Sequence, residues 1–125
     1  MKKVISTPKA PAALGPYSQA IETNGMIFLS GQLPIDPTTG EFVAGGIKEQ
    51  TLQIFKNNES ILKEADMTLD NVVKTTVFLA DMVDFADMNE VYASQFLGTF
   101  PARSAFAVKT LPKNADIEIE VIAMR

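Results

Sequence analysis

The segment NVVKTTVFLA, residues 71–80, constrains the fold of this chain more than any other. Its β-branched residues predict a strand, and the side chains of a strand alternate between its two faces. Apolar side chains occur on both faces, with Val73, Val77 and Leu79 on one and Val72 and Phe78 on the other. Both faces of any sheet that contains this strand therefore need cover from other parts of the structure.

Turn and helix signals divide the rest of the chain. Asn24-Gly25 predicts a hairpin because both residues tolerate a positive φ. Apolar spacing predicts a helix over residues 47–65 and another after Asp84, which is the predicted N-cap, with Asp87 in a capping-box position. The predicted strands are residues 3–7, 17–23, 26–31, 71–80, 103–108 and 117–124.

The resulting element order is β-β-β-α-β-α-β-β, which predicts a single α+β domain over residues 1–125. Its architecture is expected to be a six-stranded mixed sheet with two helices on one face. Two helices can cover only that face. The apolar second face of strand 71–80 therefore predicts an oligomer in which another subunit covers it, and loops of the same chain are the alternative.

The chain contains no histidine and no cysteine. A Ser-His-Asp triad, a Cys nucleophile, a zinc–thiolate site and a disulfide framework are therefore excluded. General acid–base chemistry must use Asp, Glu, Lys, Tyr, water or backbone groups. Asp81, Asp84 and Asp87 are spaced by three around a helix start, which favours capping over metal binding, so neither a metal nor a cofactor is expected.

The net charge of −4 counts against non-specific binding to nucleic acid. No apolar stretch approaches the roughly 20 residues that a membrane span needs. No apolar region of a signal peptide follows Lys2 and Lys3. The expected location is the cytoplasm, with no membrane partner.

Two candidate residues carry charge. Glu118 shares a face of the last predicted strand with Glu120, where either could be a proton shuttle in a cleft or a solvated side chain. Arg103 begins a strand directly after a helix stop. Its guanidinium could bind a ligand carboxylate through two hydrogen bonds or form an ordinary surface ion pair.

Two further candidates lie in turn-like segments. Tyr17 could donate its hydroxyl to a small ligand or form an aromatic wall over it, although a plain turn is the alternative. Ser30-Gly31 ends a strand, and glycine permits a close approach of the backbone to a ligand. The chain contains neither a P-loop nor a dinucleotide-binding fingerprint.

Seven segments occur in the order in which the RidA/YjgF family has them, so the sequence resembles that family over essentially its whole length. Each segment alone is weak, and their common register makes the resemblance specific. The segments are GPYSQA (15–20), SGQLP (30–34), PTTGE (37–41), VVKTTVFLADMVDF (72–85), NEVY (89–92), FPARSA (100–105) and LPKNADIEIEVIA (111–123).

The resemblance implies a chorismate-mutase-like fold assembled as a homotrimer with clefts between subunits. It also implies a cofactor-independent deaminase that hydrolyses enamines and imines, such as 2-aminoacrylate, 2-iminopropanoate and 2-iminobutanoate, to 2-keto acids and ammonia. The family arginine that holds the substrate carboxylate corresponds to Arg103, and the glutamate that activates water corresponds to Glu118. The other positions implied to line the cleft are Tyr17, Ser30, Gly31, Asn89 and Ala105.

Two positions depart from the family pattern. Ala105 stands where many members have cysteine, so only its backbone could contribute to the site. Asp66 stands where the family commonly has glycine after a helix, and this helix end is expected to be built differently because Asp tolerates the left-handed region less well.

Two rival functions remain at this point. The same cleft could bind small 2-keto acids or a partner protein without turnover, as a regulatory module. The chain could also be an endoribonuclease or translation inhibitor, although the absence of histidine and the negative charge count against this.

Overall fold

The computed structural model describes residues 1–125 and contains a six-stranded sheet and two α-helices. The strands lie in the order β1-β2-β3-β6-β4-β5, and all neighbours are antiparallel except the parallel pair β4 and β5. The predicted mixed sheet and element order are therefore confirmed. The elements are β1 Lys3–Ile5, β2 Ala20–Thr23, β3 Met26–Gln32, α1 Ile47–Glu64, β4 Val72–Leu79, α2 Phe85–Ser94, β5 Ala102–Ala107 and β6 Ile117–Met124.

The helices cover one face of the sheet, as predicted. Helix α1 packs against β3 and β6, and α2 packs against α1. Along β6 the side chains alternate strictly, so that every second residue enters the core beneath the helices. The buried residues of this strand are Ile117, Ile119, Val121 and Ala123. Burial of each large aliphatic side chain contributes about 1.5–3 kcal/mol, which fixes which face of β6 points inward.

The hairpin between β2 and β3 forms where Asn24-Gly25 predicts it. Asn24 has φ 51° and Gly25 has φ 78°, as a two-residue turn with both central residues left-handed requires. Thr23 pairs with Met26 directly beside the turn.

The faces predicted for the first residues of β4 are wrong. The register of β4 against β6 shifts between Val72 and Lys74, so Val73 is an extra residue in a β-bulge. The bulge turns Val72 into the core and leaves Val73 46% exposed, which reverses the strict alternation expected from the sequence.

Asp84 occupies the N-cap position of α2, as predicted, but its side chain makes no capping hydrogen bond. The carboxylate of Asp81 instead accepts the backbone N–H of Val83 at 2.9 Å and caps a 3-10 turn, Met82–Asp84, that leads into α2.

The expectation that α1 would end differently from a helix with glycine at position 66 is wrong. This residue adopts φ 58°, in the left-handed region where a glycine would lie. The N–H of Asp66 donates to the carbonyl of Lys63, and that of Met67 donates to the carbonyl of Leu62, both at 2.9 Å. Asp66 therefore forms the same left-handed helix cap, because Asp is one of the few non-glycine residues that visit this region.

The two helices leave the second face of the sheet uncovered, and only loop residues lie against part of it. Its apolar side chains include Val4, Phe28, Phe106 and Met124, which are all exposed. Cover by another subunit stays a prediction. Neither helix is long and apolar enough to cross a membrane.

Candidate active site

The two charged candidates lie on opposite faces of the sheet. Arg103 pairs with Thr75, which in turn pairs with the buried Val121, so Arg103 is on the helix-covered face. Glu118 pairs with Phe78 and points to the uncovered face. A single chain therefore does not bring the arginine and the glutamate together.

Arg103 lies on the edge strand β5 and reaches toward α2. Its Nη1 donates a hydrogen bond to Asn89 Oδ1 at 2.6 Å. Its Cζ lies 4.6 Å from the ring centroid of Tyr92 and 5.5 Å from that of Phe85. Both distances are within the range of cation–π contacts. Both aromatic residues lie in the family segments VVKTTVFLADMVDF and NEVY, but nothing in the sequence indicates that their rings contact a cation.

Arg103 has no acidic partner. The salt bridges of the chain are Lys48–Glu90 and Arg125–Glu22. The surface ion pair considered for Arg103 is therefore absent, and its guanidinium is exposed with donors left for a ligand. A planar carboxylate is the group that these donors fit best.

Ala105 is two residues beyond Arg103 on the same face of β5. It pairs with Val77, and its half-buried side chain packs against the core. Its methyl group therefore belongs to the core, which leaves only its backbone to the site.

Glu118 lies in a cavity of about 630 Å³ on the other side of the molecule. Three other predicted residues, Tyr17, Ser30 and Gly31, line the same cavity. Asn89 does not, because it lies beside Arg103. The remaining walls include Pro11, Leu14 and Ile35, for which the sequence gives no functional signal. They also include Leu33, Pro112 and Lys113, whose only signal is their place in the SGQLP and LPKNADIEIEVIA segments.

Gly31 makes room for the Glu118 carboxylate. The register of β3 against β6 shifts between Leu29 and Gln32, which places Ser30 and Gly31 in a bulge. A Cβ atom on Gly31 would lie 1.9 Å from Oε2 of Glu118, which is far inside van der Waals contact. Glycine is therefore required at this position for Glu118 to keep its orientation.

Buried and partly buried hydrogen bonds hold the cavity wall in place. The side chain of Gln19 donates to the carbonyls of Thr7 at 3.1 Å and Pro11 at 2.8 Å, and it accepts the N–H of Thr7 at 2.7 Å. The hydroxyl of Ser30 donates to the carbonyl of Ser18 at 2.6 Å. These bonds fix segment 7–19 beside β3, and the only sequence signal for Gln19 is its place in the GPYSQA segment.

The cavity favours a protonatable carboxyl group. Burial raises the pKa of Glu118 above its usual value, and the negative charge of Glu120 two residues along the strand raises it further. A carboxyl group shifted in this direction is better suited to give and take protons near neutral pH. The side chains of the chain form no cluster that could hold a metal ion.

Similarity to known proteins extends over nearly the whole chain. A family model described as Endoribonuclease L-PSP matches residues 7–125. The mouse protein named 2-iminobutanoate/2-iminopropanoate deaminase is 51% identical over 125 residues, which cover 100% of this chain and 93% of the mouse protein. The crystal structure of YyfA from Yersinia pestis, of the Rid family, has a TM-score of 0.97 at 49% identity and covers 100% of both chains. Escherichia coli TdcF with bound serine has a TM-score of 0.94 at 41% identity and covers 98% of each chain.

Proposed function

This chain belongs to the Rid/YjgF family, and we propose that it is a deaminase of 2-imino acids. It hydrolyses reactive enamines and imines, such as 2-aminoacrylate, 2-iminopropanoate and 2-iminobutanoate, to 2-keto acids and ammonia. The observation that carries this proposal is the full-length similarity to a mouse protein with that activity in its name. The cytoplasm is the proposed location.

The proposed active site is a cleft between two subunits of a homotrimer. Because Arg103 and Glu118 point from opposite faces of the sheet, a small substrate that contacts both must lie between two chains. The exposed apolar side chains of the uncovered face supply a surface for the neighbouring subunit. In a closed ring each subunit then contributes Arg103 to one cleft and Glu118 to the next.

Arg103 is proposed to bind the substrate carboxylate. Its contacts with Asn89, Tyr92 and Phe85 leave guanidinium donors free, and these can bind both carboxylate oxygens. Tyr17, Ser30 and Gly31, which line the cavity of Glu118, are proposed to form the opposite wall of the cleft. The serine bound to the related TdcF is a small molecule with a carboxylate group, which supports a ligand of this class.

Glu118 is proposed to move the protons of the reaction. Its carboxylate takes a proton from water as the water oxygen bonds to the imine carbon, and the acid then protonates the imine nitrogen. The resulting carbinolamine carries a hydroxyl and an amino group on one carbon. Glu118 next transfers the hydroxyl proton to the amino group, the C–N bond breaks and ammonia leaves as the C=O bond forms.

This mechanism accounts for catalysis in a chain without histidine or cysteine. Simple imines already hydrolyse in water, so the protein needs to lower the barrier only moderately. One general acid–base group contributes about 10²- to 10⁴-fold, and positioning of the substrate by Arg103 adds to it.

The family description names an endoribonuclease. The chain has no histidine for the acid–base steps of such an enzyme, and its net charge of −4 does not favour an RNA backbone. The proposed cleft offers one arginine and one carboxyl group, which fit a small anionic imine better.

Arg103→Ala is expected to lower kcat/KM for 2-iminobutanoate about 10²-fold, because two charge-assisted hydrogen bonds to the substrate are lost. Arg103→Lys keeps the charge but not the planar fork, and it should restore only part of this loss. The assay couples the purified protein to a threonine dehydratase and follows 2-oxobutanoate release. If the intact protein gives no acceleration, the deaminase proposal is wrong; if Arg103→Ala accelerates equally well, the role of Arg103 is wrong.

Gly31→Ala is expected to lower kcat about 10- to 100-fold with little change in melting temperature. The new methyl group would displace the carboxylate of Glu118 while leaving the backbone in place, and misplacement by about 1 Å costs a reaction up to about 10² in rate. Gly98→Ala is the matched control, since a Cβ there meets no atom within 4 Å. Equal kcat values for the two variants would contradict the close approach of Gly31 and Glu118.

A further inference from the structure

We propose that Tyr92 is a positioning residue of the deaminase, which holds the guanidinium of Arg103 in the orientation that receives the substrate carboxylate. This inference rests on the proposed function. It concerns a residue that sequence patterns place in the hydrophobic core. The geometry gives its ring a second, electrostatic role.

Three side chains of α2 surround the guanidinium group. Phe85, Asn89 and Tyr92 are spaced by four and three residues, which places them on one stripe of the helix over two turns. The ring of Tyr92 lies closest, with its centroid 4.6 Å from Cζ of Arg103. Asn89 Oδ1 accepts one hydrogen bond from Nη1 of Arg103 at 2.6 Å. The cation–π contact with the ring uses none of the N–H groups that would bind a carboxylate.

Tyr92 is itself held rigidly. Its side chain is 3% exposed, and its hydroxyl is 2.7 Å from Oγ1 of the fully buried Thr75. Its ring packs against Phe55 and Phe96 at centroid distances of 5.6 and 5.1 Å. Thr75 is also the register partner of Arg103 in the sheet. The strand pair β4–β5 and helix α2 thus meet at the tyrosine ring.

A rigid ring beside the flexible side chain of Arg103 affects the binding of the substrate carboxylate as well as the stability of the fold. A free arginine side chain loses about 2 kcal/mol of rotamer entropy when it is fixed in one geometry. The exposed Arg103 is already confined by Tyr92 and Asn89 before a ligand arrives, so less of this entropy remains to be lost on binding. Tyr92 therefore acts on substrate affinity through Arg103 and does not touch the reacting atoms.

The test changes the electrons of the ring without changing its shape. Tyr92→Phe keeps the ring, and phenylalanines with one, two and three fluorines are then placed at position 92 in the assembled protein. Fluorine withdraws electron density from the ring face, which weakens its attraction for a guanidinium group. The dissociation constant of 2-oxobutanoate and the KM for 2-iminobutanoate should rise with each fluorine, reaching roughly three- to thirtyfold, while kcat stays within about twofold.

Thr75→Val in the Tyr92→Phe background is the matched control. It removes the former partner of the hydroxyl and leaves the ring unchanged, so 2-oxobutanoate binding should stay within about twofold of Tyr92→Phe. Affinity and KM that do not respond to fluorine would overturn the role of Tyr92, even in an active deaminase. Fluorine-dependent binding of 2-oxobutanoate without imine hydrolysis would instead retain this role and reject the deaminase. A wild-type protein that neither binds 2-oxobutanoate nor accelerates imine hydrolysis would overturn both.

Discussion

Glu118→Gln is expected to lower kcat for 2-iminobutanoate hydrolysis about 10²- to 10⁴-fold, because glutamine has the size of glutamate but cannot accept or release the proton. Binding of 2-oxobutanoate should stay within about threefold, since Arg103 holds the carboxylate. The coupled dehydratase assay gives the rate, and calorimetry gives the affinity. Full activity of the variant would exclude Glu118 as the proton carrier and point to Glu120 or to backbone groups.

The pH profile separates this role from a structural one. The wild-type rate should fall as pH drops through the raised pKa of Glu118, because the carboxylate that accepts the first proton is lost. The midpoint should lie above the value of about 4.3 for an ordinary glutamate. Glu120→Gln is the matched variant on the same face of β6. Burial is the larger cause of the raised pKa of Glu118 and is unchanged in this variant, but the repulsion by the Glu120 charge is removed. The midpoint should therefore move part of the way to lower pH while kcat remains near that of the wild type.

Stability has the opposite pH dependence to activity. A carboxyl group whose pKa is raised in the folded protein stabilises the fold below its unfolded pKa, and this stabilisation is lost as pH rises through the folded pKa. Glu118→Gln has no such loss, so its melting temperature should equal or exceed that of the wild type at pH 7 and approach it at pH 4. A marked decrease at pH 7 would mean that the carboxylate has a structural role.

The fold was predictable where local chemistry decides it. Asn24-Gly25 forms its hairpin because two adjacent residues are enough to select the turn. The bulge at Val73 and the cap by Asp81 were not predictable, because both depend on how β4 meets β6 and how the chain enters α2. Asp66 shows the reverse case, since the local capping bonds from its N–H and from that of Met67 hold it in a left-handed conformation that propensity alone disfavours.

The site was predictable only in part. Alternation along β6 places Glu118 on the face away from the core, and this follows from the strand itself. The face on which Arg103 lies depends instead on its parallel pairing with Thr75, which is distant in sequence. The sequence alone therefore does not reveal that Arg103 and Glu118 point in opposite directions. Tyr92 shows the same limit, because its apolar spacing on α2 does not reveal the cation above its ring.

A mixture of Arg103→Ala and Glu118→Gln subunits, each almost inactive alone, should recover about one quarter of the wild-type activity. Each proposed cleft takes Arg103 from one chain and Glu118 from its neighbour. When equal amounts of the two variants assemble at random, half of the positions supply an intact arginine and half supply an intact glutamate. About a quarter of the clefts then contain both, whatever the number of subunits in the closed ring.

A second mixture tests independently whether Arg103 and Glu118 of one cleft come from the same chain or from two chains. Subunits that carry both substitutions, assembled with an equal amount of wild type, should also give about one quarter of the activity if the two residues come from different chains. If they came from one chain, this mixture would retain about one half, and the mixture of single variants would recover nothing. Co-refolding of differently tagged chains, followed by the dehydratase assay, measures both ratios. Arg103 and Glu118 point from opposite faces of the sheet, and no side-chain rotation within one chain can bring them to the same side. We therefore expect about one quarter of the activity in both mixtures.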